Sequence, residues 1–456
     1  MNRRILQLAL PNIVTNITVP LLGIVDMAIV GHLSAAHIGA ITIGSSIFNL
    51  IYWNFGFLRM GTSGFTSQAY GAGRTDEVVR TLLRALAVGL MIAAALLALQ
   101  WPIARAACVI FKGSAQVIQL AMTYFFIRIW AAPATLGLYA VKGWYIGMQN
   151  AKLPMWIAIF INVVNILCSL LFVAVLRWNI AGVALGTVIA QYSGLLLALA
   201  LLHRRYGALF KEHADTLRAN ADSPSSARRA LCREVFQPEA LRQFFRVNGD
   251  IFLRTVCLAA VFSFITAVSG RISDEILAVD ALLLQFFTVF SYFMDGFAYA
   301  GESLTGYFIG ARENAKLRQS VRLLMLWGVV LTVAFSGIYA LGGRHFLHIF
   351  SDDPAVIDAT MPYMFWTLVV PVCGFAAFLL DGVYVGATAS ATMRNAMFVA
   401  TAAFFGLYYG LCLLYPTRTA YMWNNFLWLS FMVYLTLRGL VQALRLRKAV
   451  YGKIHG

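Results

Sequence analysis

Charged residues are scarce in this sequence. Only 12% of the 456 residues are Asp, Glu, Lys or Arg, while 61% are hydrophobic and the mean hydropathy is +0.76. A soluble domain carries about a quarter charged residues, so this balance excludes an ordinary soluble globular protein. The composition instead predicts an integral membrane protein.

Cysteine is also rare, and the common catalytic motifs are missing. The six cysteines form no Cys-x-x-Cys pair, which argues against a disulfide framework and against a zinc site. The sequence contains no GxxxxGKS/T phosphate loop, no GxSxG nucleophile motif and no HExxH metal motif. We therefore expect no enzyme, no cofactor and no resident metal.

Long apolar runs fill the chain instead. A run of about 20 residues is enough for a helix to cross a hydrocarbon core of about 30 Å. Charged breaks and Gly or Pro breaks divide the runs into twelve predicted membrane helices, so the expected fold class is an all-α integral membrane protein. Their approximate bounds are 8–31, 37–60, 78–104, 117–141, 153–176, 180–202, 247–269, 277–308, 320–341, 357–385, 396–414 and 422–444.

Basic residues outnumber acidic ones, with 35 Lys and Arg against 19 Asp and Glu. Most of them lie at the N-terminus, on the even-numbered connections between spans and in the C-terminal tail. This positive-inside pattern predicts a multi-pass membrane protein with both termini in the cytoplasm, and we expect the bacterial inner membrane as its location. The net charge of +16 therefore indicates contact with anionic lipid rather than with nucleic acid.

One long polar stretch divides the spans into two sets of six. It runs from residue 203 to residue 246 and is rich in Arg and Ala. We predict an N-terminal six-helix lobe over 1–203, a cytoplasmic linker over 204–246, a C-terminal six-helix lobe over 247–445 and a cytoplasmic basic tail over 446–456.

The two halves repeat their landmarks at a constant offset of 239 positions. The matching pairs are Gly31-x-x-Ser34 with Gly270-x-x-Ser273, Gly71-Ala72 with Gly310-Ala311, Gly143-x-Tyr145-x-Gly147 with Gly382-x-Tyr384-x-Gly386, and Tyr124 with Tyr363. Six spans return the chain to its starting side, so the repeats are parallel. Two pseudo-symmetric bundles of this kind predict a transporter with a site near the midplane and alternating access.

Asp26 is a single carboxylate in the apolar run VPLLGIVDMAIVG of the first span. A central Asp costs about 2.5–3.5 kcal/mol on insertion scales, so such residues usually face a bundle interior or a wet cavity and serve a transport pathway. Its span supplies no basic partner, which favours a group that takes up and releases a proton. Pro20 removes a backbone hydrogen bond one and a half turns earlier and is a candidate gate, although a static kink is equally compatible with the sequence.

Three acids in the second half are further candidates for proton or substrate sites. Asp295 and Asp381 each precede a Gly that permits close helix approach, and Glu302 and Asp381 lie near cytoplasmic helix ends where water can reach them. For these residues a structural role and a transport role remain equally open. Asp250 and Arg254 stand four residues apart and predict an ion pair at the mouth of span 7.

Aromatic residues make up 14% of the chain. Most of them predict belts that face lipid at the two interfaces. A minority that faced a cavity would suit amphipathic cations through their ring faces, and Tyr124 and Tyr139 are candidates for that role.

Several motifs resemble the multidrug and toxic compound extrusion (MATE) family, over both halves of the chain. They are LALPNIVTNITVPLLGIVDMAIVGHL in span 1 and GFTSQAYGAG at the end of span 2. NGDIFLRT, MDGFAYAGE and DGVYVGATASATMRN are similar to the DNA-damage-inducible F branch of that family. The resemblance implies two six-helix lobes in a V shape that export organic cations or other amphipathic compounds in exchange for protons or sodium.

The same resemblance implies a set of ion-coupling residues in the N-terminal lobe. Asp26 matches the essential carboxylate of span 1, and Asn165 and Thr187 match polar residues of spans 5 and 6. Ser169 stands where many relatives carry a second Asp. Because one carboxylate and a hydroxyl should hold Na⁺ only weakly, we expect a proton as the coupling ion and leave Na⁺ as the second choice.

Other functions fit the residues less well. A flippase for lipid-linked precursors remains the main alternative, but it predicts a strongly cationic cavity, whereas the spans here contain more acids than bases. A purely structural scaffold leaves the intramembrane acids unexplained. The expected partners are small cationic or amphipathic substrates, H⁺ or Na⁺ and the lipid bilayer, and two lobes in one chain are compatible with a functional monomer.

Overall fold

A computed structural model describes residues 1–31, 34–111, 113–221, 223–351 and 353–454. These residues are almost entirely helical, and no strand occurs among them. The predicted all-α class is therefore confirmed.

Seventeen α-helices cover the described residues. They are α1 (Asn2–Gly31), α2 (Ala35–Asn54), α3 (Phe57–Gly71), α4 (Thr75–Ala98), α5 (Gln100–Ile110), α6 (Ala115–Arg128), α7 (Ala132–Gly147), α8 (Lys152–Leu170), α9 (Asn179–Ala219), α10 (Pro224–Val235), α11 (Pro238–Ile272), α12 (Asp274–Gly310), α13 (Asn314–Phe350), α14 (Pro354–Thr360), α15 (Met364–Gly386), α16 (Ser390–Leu414) and α17 (Ala420–Ala449). Short 3₁₀ segments occupy Ile129–Ala131, Met361–Tyr363 and Tyr451–Ile454, and a π-helical turn follows α8 at Leu171–Val175.

Twelve helical stretches of the described residues are long and apolar enough to cross a membrane, as the sequence predicts. The main differences are at their ends. The second span is interrupted at Phe55 and Gly56, between α2 and α3. The sixth span extends beyond its predicted end at residue 202, because α9 continues without a break to Ala219.

The chain forms two compact units. One contains Val14–Asn248, and the other contains Gly249–Gly456 together with Met1–Ile13. The first turns of α1 therefore group with the C-terminal unit, and the polar stretch after span 6 groups with the N-terminal one. The predicted lobes and these units thus differ in where the first 13 residues and the linker belong.

The polar stretch after span 6 is helical and held by polar side-chain contacts. The Nδ1 of His213 in α9 lies 2.8 Å from the carboxylate of Asp76, and Arg80 contacts Glu234 of α10 at 3.0 Å. The buried Arg84 donates to the carbonyl oxygen of Val235 at 3.0 Å. These contacts join α9 and α10 to α4 within the N-terminal unit.

Each half begins its second span with the same cap. The hydroxyl of Ser34 accepts from the backbone N–H of His37, and that of Ser273 accepts from the N–H of Ile276. A side-chain oxygen at this place satisfies one of the free N–H groups of the first helical turn. The repeated Gly-x-x-Ser therefore provides the same helix cap in both halves.

The repeated glycines allow one close helix crossing in each half. A Cβ on Gly143 of α7 would lie 2.3 Å from the carbonyl oxygen of Arg59 in α3. A Cβ on Gly382 of α15 would lie 2.1 Å from the carbonyl oxygen of Ala298 in α12. Arg59 and Ala298 are also 239 positions apart, so both halves contain the same backbone contact.

Candidate functional site

Four polar residues that the sequence singles out come together in the N-terminal unit. Asp26 lies on α1, Asn165 and Ser169 lie one turn apart on α8, and Thr187 lies on α9. All four side chains are buried, and Asp26 is only 2% exposed. The side chains of Thr187, Ser169 and Asn165 are close enough to interact with the Asp26 carboxylate.

The hydrogen bonds of this cluster leave acceptor and donor capacity unused. Asn165 donates through Nδ2 to the Thr187 hydroxyl at 3.1 Å, and Thr187 donates to the carbonyl oxygen of Val183 at 3.1 Å. Among the described residues, the Oδ1 of Asp26, the Oδ1 of Asn165 and the hydroxyl of Ser169 make no hydrogen bond of good geometry, although Ser169 and Asn165 lie within reach of the carboxylate. Buried polar atoms are normally satisfied, so these three unpaired atoms mark a place where a further group can bind.

Arg128 adds a positive charge that the linear sequence does not assign to this site. It ends α6, in the fourth span, and acts electrostatically on Asp26. Its guanidinium donates to the hydroxyl of Tyr124 and stands 4.8 Å from the ring centre of Phe48. The four-residue spacing of Tyr124 and Arg128 could have indicated that Arg128 belongs to this site, because that spacing places both residues on one face of a helix.

Helix α1 is continuous through Pro20, the predicted gate. A neighbouring span supports the helix at this place, because Asn162 of α8 donates through Nδ2 to the carbonyl oxygen of Thr18 at 2.7 Å. The proline and the Asn162 contact therefore lie between the start of the unit at Val14 and the Asp26 cluster.

The two predicted cavity tyrosines differ in burial. Tyr124 is fully buried and lies within electrostatic reach of Asp26. Tyr139 is half-buried and packs against the hydrophobic core of the N-terminal unit. The structure brings Tyr124 to the polar cluster.

Asp381 in the C-terminal unit is surrounded by positive charge. Both Arg254 and Arg438 donate to its Oδ2, and Gln442 donates to its Oδ1 at 2.6 Å. The expected pair of Asp250 with Arg254 is wrong, because Asp250 instead contacts Arg394 at 2.5 Å and the hydroxyl of Ser390 at 2.8 Å. Both acids are buried, and each is paired with a cation from another span, Asp381 with Arg254 and Asp250 with Arg394.

The other two predicted acids both lie on α12 of the C-terminal unit. Asp295 is half-buried and within electrostatic reach of Arg438, so it belongs to the surroundings of Asp381. Glu302 is buried on α12, one turn past the crossing at Ala298. Among the described residues, no group of three or more His, Cys, Asp or Glu side chains could hold a metal ion.

These features define a class of membrane protein. Twelve candidate spans, a parallel internal repeat and an incompletely bonded buried carboxylate are typical of repeat-built secondary transporters.

Comparison with known proteins identifies the family within that class. The MatE family profile matches residues 11–171 and 251–414. The chain is 35% identical over 435 residues to the DNA damage-inducible protein F of Escherichia coli, covering 95% of this chain and 89% of that protein. It is 23% identical over 419 residues to a probable multidrug resistance protein NorM of Neisseria meningitidis serogroup B, covering 89% and 85%. The chain belongs to the MATE family.

The solved structures agree on the fold. The eukaryotic MATE transporter AtDTX14 superimposes with a TM-score of 0.82 at 16% identity, covering all of this chain and 97% of the other. Members of the family are transporters, so the protein is an efflux transporter and not an enzyme. Its spans and its E. coli relative support a multi-pass protein of the bacterial inner membrane.

Proposed function

We propose that this transporter exports cationic or amphipathic compounds in exchange for protons that bind to Asp26. The observation that carries the proposal is the unpaired Oδ1 of a carboxylate that is 2% exposed, beside the unpaired oxygens of Asn165 and Ser169. A buried acid with spare hydrogen-bonding capacity can hold a proton in one state and release it in another.

The donor set favours a proton over sodium. A hard cation binds best to several oxygen ligands that include anionic ones, and this cluster offers one carboxylate with amide and hydroxyl oxygens. A proton needs only a single carboxylate oxygen. Sodium is the second candidate, since the oxygens of Asn165, Ser169 and Thr187 could complete a weak cage.

Energetics link the charge of the substrate to the number of protons. Export against a tenfold gradient needs about 1.4 kcal/mol, and moving a monovalent cation out against 100 mV needs about 2.3 kcal/mol more. Exchange of one proton for one such cation moves no net charge, so only the pH gradient drives it. A neutral substrate needs a single proton, whereas export of a cation gains from a second titrating acid.

Reconstituted protein provides the test. Liposomes would carry an imposed pH gradient without sodium, and ethidium flux would be followed for the wild type, for Asp26→Asn and for Asp215→Asn. Asp215 is an exposed acid of the polar stretch, so its substitution controls for the loss of one carboxylate. We expect proton-driven flux in the wild type and the control and at least a tenfold loss in Asp26→Asn.

Two results would contradict the proposal. Undiminished flux in Asp26→Asn would make Asp26 structural. If wild-type flux begins only when sodium is added, the coupling ion is sodium rather than a proton.

We also propose that both termini lie in the cytoplasm and that one chain forms a complete transport pathway. The distribution of Lys and Arg supports the orientation, and the presence of both repeats in a single chain supports the monomer.

A further inference from the structure

A second buried carboxylate, Asp280, has partners of an unusual kind. It lies on α12, six residues after the helix begins, and is 1% exposed. Its Oδ1 accepts from Asn424 at 2.9 Å and from the indole N–H of Trp428 at 2.7 Å, and its Oδ2 contacts the hydroxyl of Ser269. These partners come from α11 and α17, and all of them are neutral.

The surroundings of Asp280 contrast with those of Asp381. Two guanidinium groups compensate Asp381, whereas the recorded partners of Asp280 carry no positive charge. The hydroxyl of Tyr363 faces Asp280 and Asn424 from the segment before α15, and Glu275 acts on the same tyrosine. A carboxylate that is buried among neutral groups has a strong tendency to bind a cation.

Ser269 gives this site two hydrogen-bonded states. Its hydroxyl lies within hydrogen-bond distance of Asp280 Oδ2 and also 2.7 Å from the carbonyl oxygen of Ile265. A hydroxyl has one proton and cannot donate to both acceptors at once. When Asp280 is ionised, Ser269 donates to it. When Asp280 is protonated, its O–H donates to Ser269, and Ser269 donates to Ile265.

The internal repeat relates this site to the Asp26 cluster. Tyr363 is the repeat equivalent of Tyr124, and each tyrosine lies beside the buried acid of its own half. At the offset of 239, position 265 corresponds to Asp26 and position 41 corresponds to Asp280, and both hold a buried Ile. The acid thus stands on the first span in one half and on the second span in the other.

A further opening for a ligand lies beside the carboxylate. Among the described residues, the Oδ1 of the fully buried Asn424 has no hydrogen-bond partner. Its amide nitrogen donates to Asp280, and the hydroxyl of Tyr363 lies within hydrogen-bonding reach of the same side chain. An arrangement that served only to join helices would be expected to satisfy this atom as well.

We propose that Asp280 is a second proton-carrying carboxyl group, and that the Ser269 hydroxyl changes its acceptor from Asp280 to the carbonyl oxygen of Ile265 when the proton binds. The inference rests on the proposed proton antiport and extends it to two protons for each cycle. One proton would bind in each half, and the exchange of two protons for one monovalent cation would move net charge inward.

Infrared difference spectroscopy tests the site without requiring transport. The full-length protein in lipid vesicles would be shifted between about pH 6 and about pH 8, where exposed carboxyls with ordinary pKa values near 4 stay ionised. The carbonyl stretch of protonated carboxyl groups would be recorded for the wild type, Asp280→Asn and Asp26→Asn. We expect each variant to lose a different band.

Two variants keep the result interpretable. Asn at position 280 retains an acceptor for Asn424 and Trp428 and a donor for Ser269, so Asp280→Asn should fold, and its melting temperature would be measured. Ser269→Ala keeps the carboxyl group but removes the hydroxyl. We expect it to shift the pH of half-change of the Asp280 band by on the order of one unit, as the loss of one buried hydrogen bond predicts.

The outcomes separate this inference from the proposed function. A spectrum of Asp280→Asn identical to that of the wild type, or a band that Ser269→Ala does not move, would make Asp280 a structural carboxylate even if Asp26 transports protons. In transport assays, we expect a membrane potential to accelerate ethidium export in the wild type and to have no effect in Asp280→Asn. If the potential drives both equally, the second proton is not carried by Asp280.

Discussion

Asp381 illustrates how a single acid in the membrane is held by two cations and a neutral amide. Its Oδ2 lies between the guanidinium groups of Arg254 and Arg438, all three side chains are buried, and Gln442 occupies the remaining oxygen. Such a group is a poor proton carrier, because the arginines stay charged and stabilise the carboxylate in every state that keeps the contacts. We therefore assign Asp381 to the stability of the C-terminal unit.

Removal of one arginine should show how strongly the stability of the C-terminal unit depends on the charge compensation of Asp381. Arg438→Gln leaves the acid with a single guanidinium, and breaking a buried charge pair costs about 3–5 kcal/mol. We expect a clearly lower melting temperature in detergent for Arg438→Gln, and a partial recovery in the double variant Arg438→Gln with Asp381→Asn. Arg344→Gln, in the exposed pair with Asp358, is the control and should melt close to the wild type. A wild-type melting temperature for Arg438→Gln would show that the pair contributes little.

Sequence reasoning found part of this chemistry. Asp26 could be singled out because an acid in an apolar run is conspicuous, and Asn165, Ser169 and Thr187 followed from the family resemblance. Asp280 escaped notice because it lies just after the polar start of α12, where an acid suggests a wet helix end. The partners of the acids could not be predicted, since they come from spans distant in sequence and their approach depends on packing.

At the scale of elements, the glycine crossings determine how closely spans approach. The backbones of α12 and α15 meet at Gly382, where a methyl group would stand 2.1 Å from the Ala298 carbonyl oxygen. Small residues permit such contacts between membrane helices.

A methyl group at this crossing should be severely destabilising. We expect Gly382→Ala to lower the yield and the melting temperature strongly, because neither backbone can move without displacing its helix. Gly410→Ala is the matched control, since a Cβ there would meet no atom within 4 Å, and Ala gains up to about 1 kcal/mol over Gly in a helix. Equal melting temperatures for the two variants, measured by fluorescence-detected size exclusion, would contradict the close crossing.

Pro20 affects the geometry of a single helix, α1. Pro20→Ala adds a backbone N–H that can complete the helical ladder of α1 and stiffen it. If bending of α1 gates access to Asp26, the variant should show slower ethidium flux while its infrared band for Asp26 remains. Pro11→Ala, earlier in the same helix, serves as the control. Unchanged flux in Pro20→Ala would identify a static kink.

The number of spans and their arrangement in two repeats were the features most readily predicted from the sequence. Twelve spans follow from hydropathy because a bilayer requires each segment to satisfy its backbone internally, and the helix is the simplest way to do so. The parallel repeat was visible because glycines and caps need specific residues at specific turns. The helical form of residues 204–219 and its contacts with α4 were not predicted, since they depend on side-chain contacts across the unit, such as that of His213 with Asp76.

Native cysteines provide a test of the orientation. Cys108 follows the third span and Cys232 lies in α10, and both are exposed and free. In variants that retain one of them, a membrane-impermeant maleimide should label Cys108 on intact spheroplasts and Cys232 in inverted vesicles. Labelling of both from the same side would overturn the proposed topology.

The position of the glycine crossings has a mechanical consequence within each half. Where two helices touch backbone to backbone, the contact acts as a pivot, and displacement grows with distance from it. Asp280 lies 18 residues from Ala298 along α12, which is about 27 Å of helix at 1.5 Å per residue. A tilt of about 4° around that pivot would move the Asp280 end by about 2 Å, enough to exchange hydrogen-bond partners while the crossing stays closed.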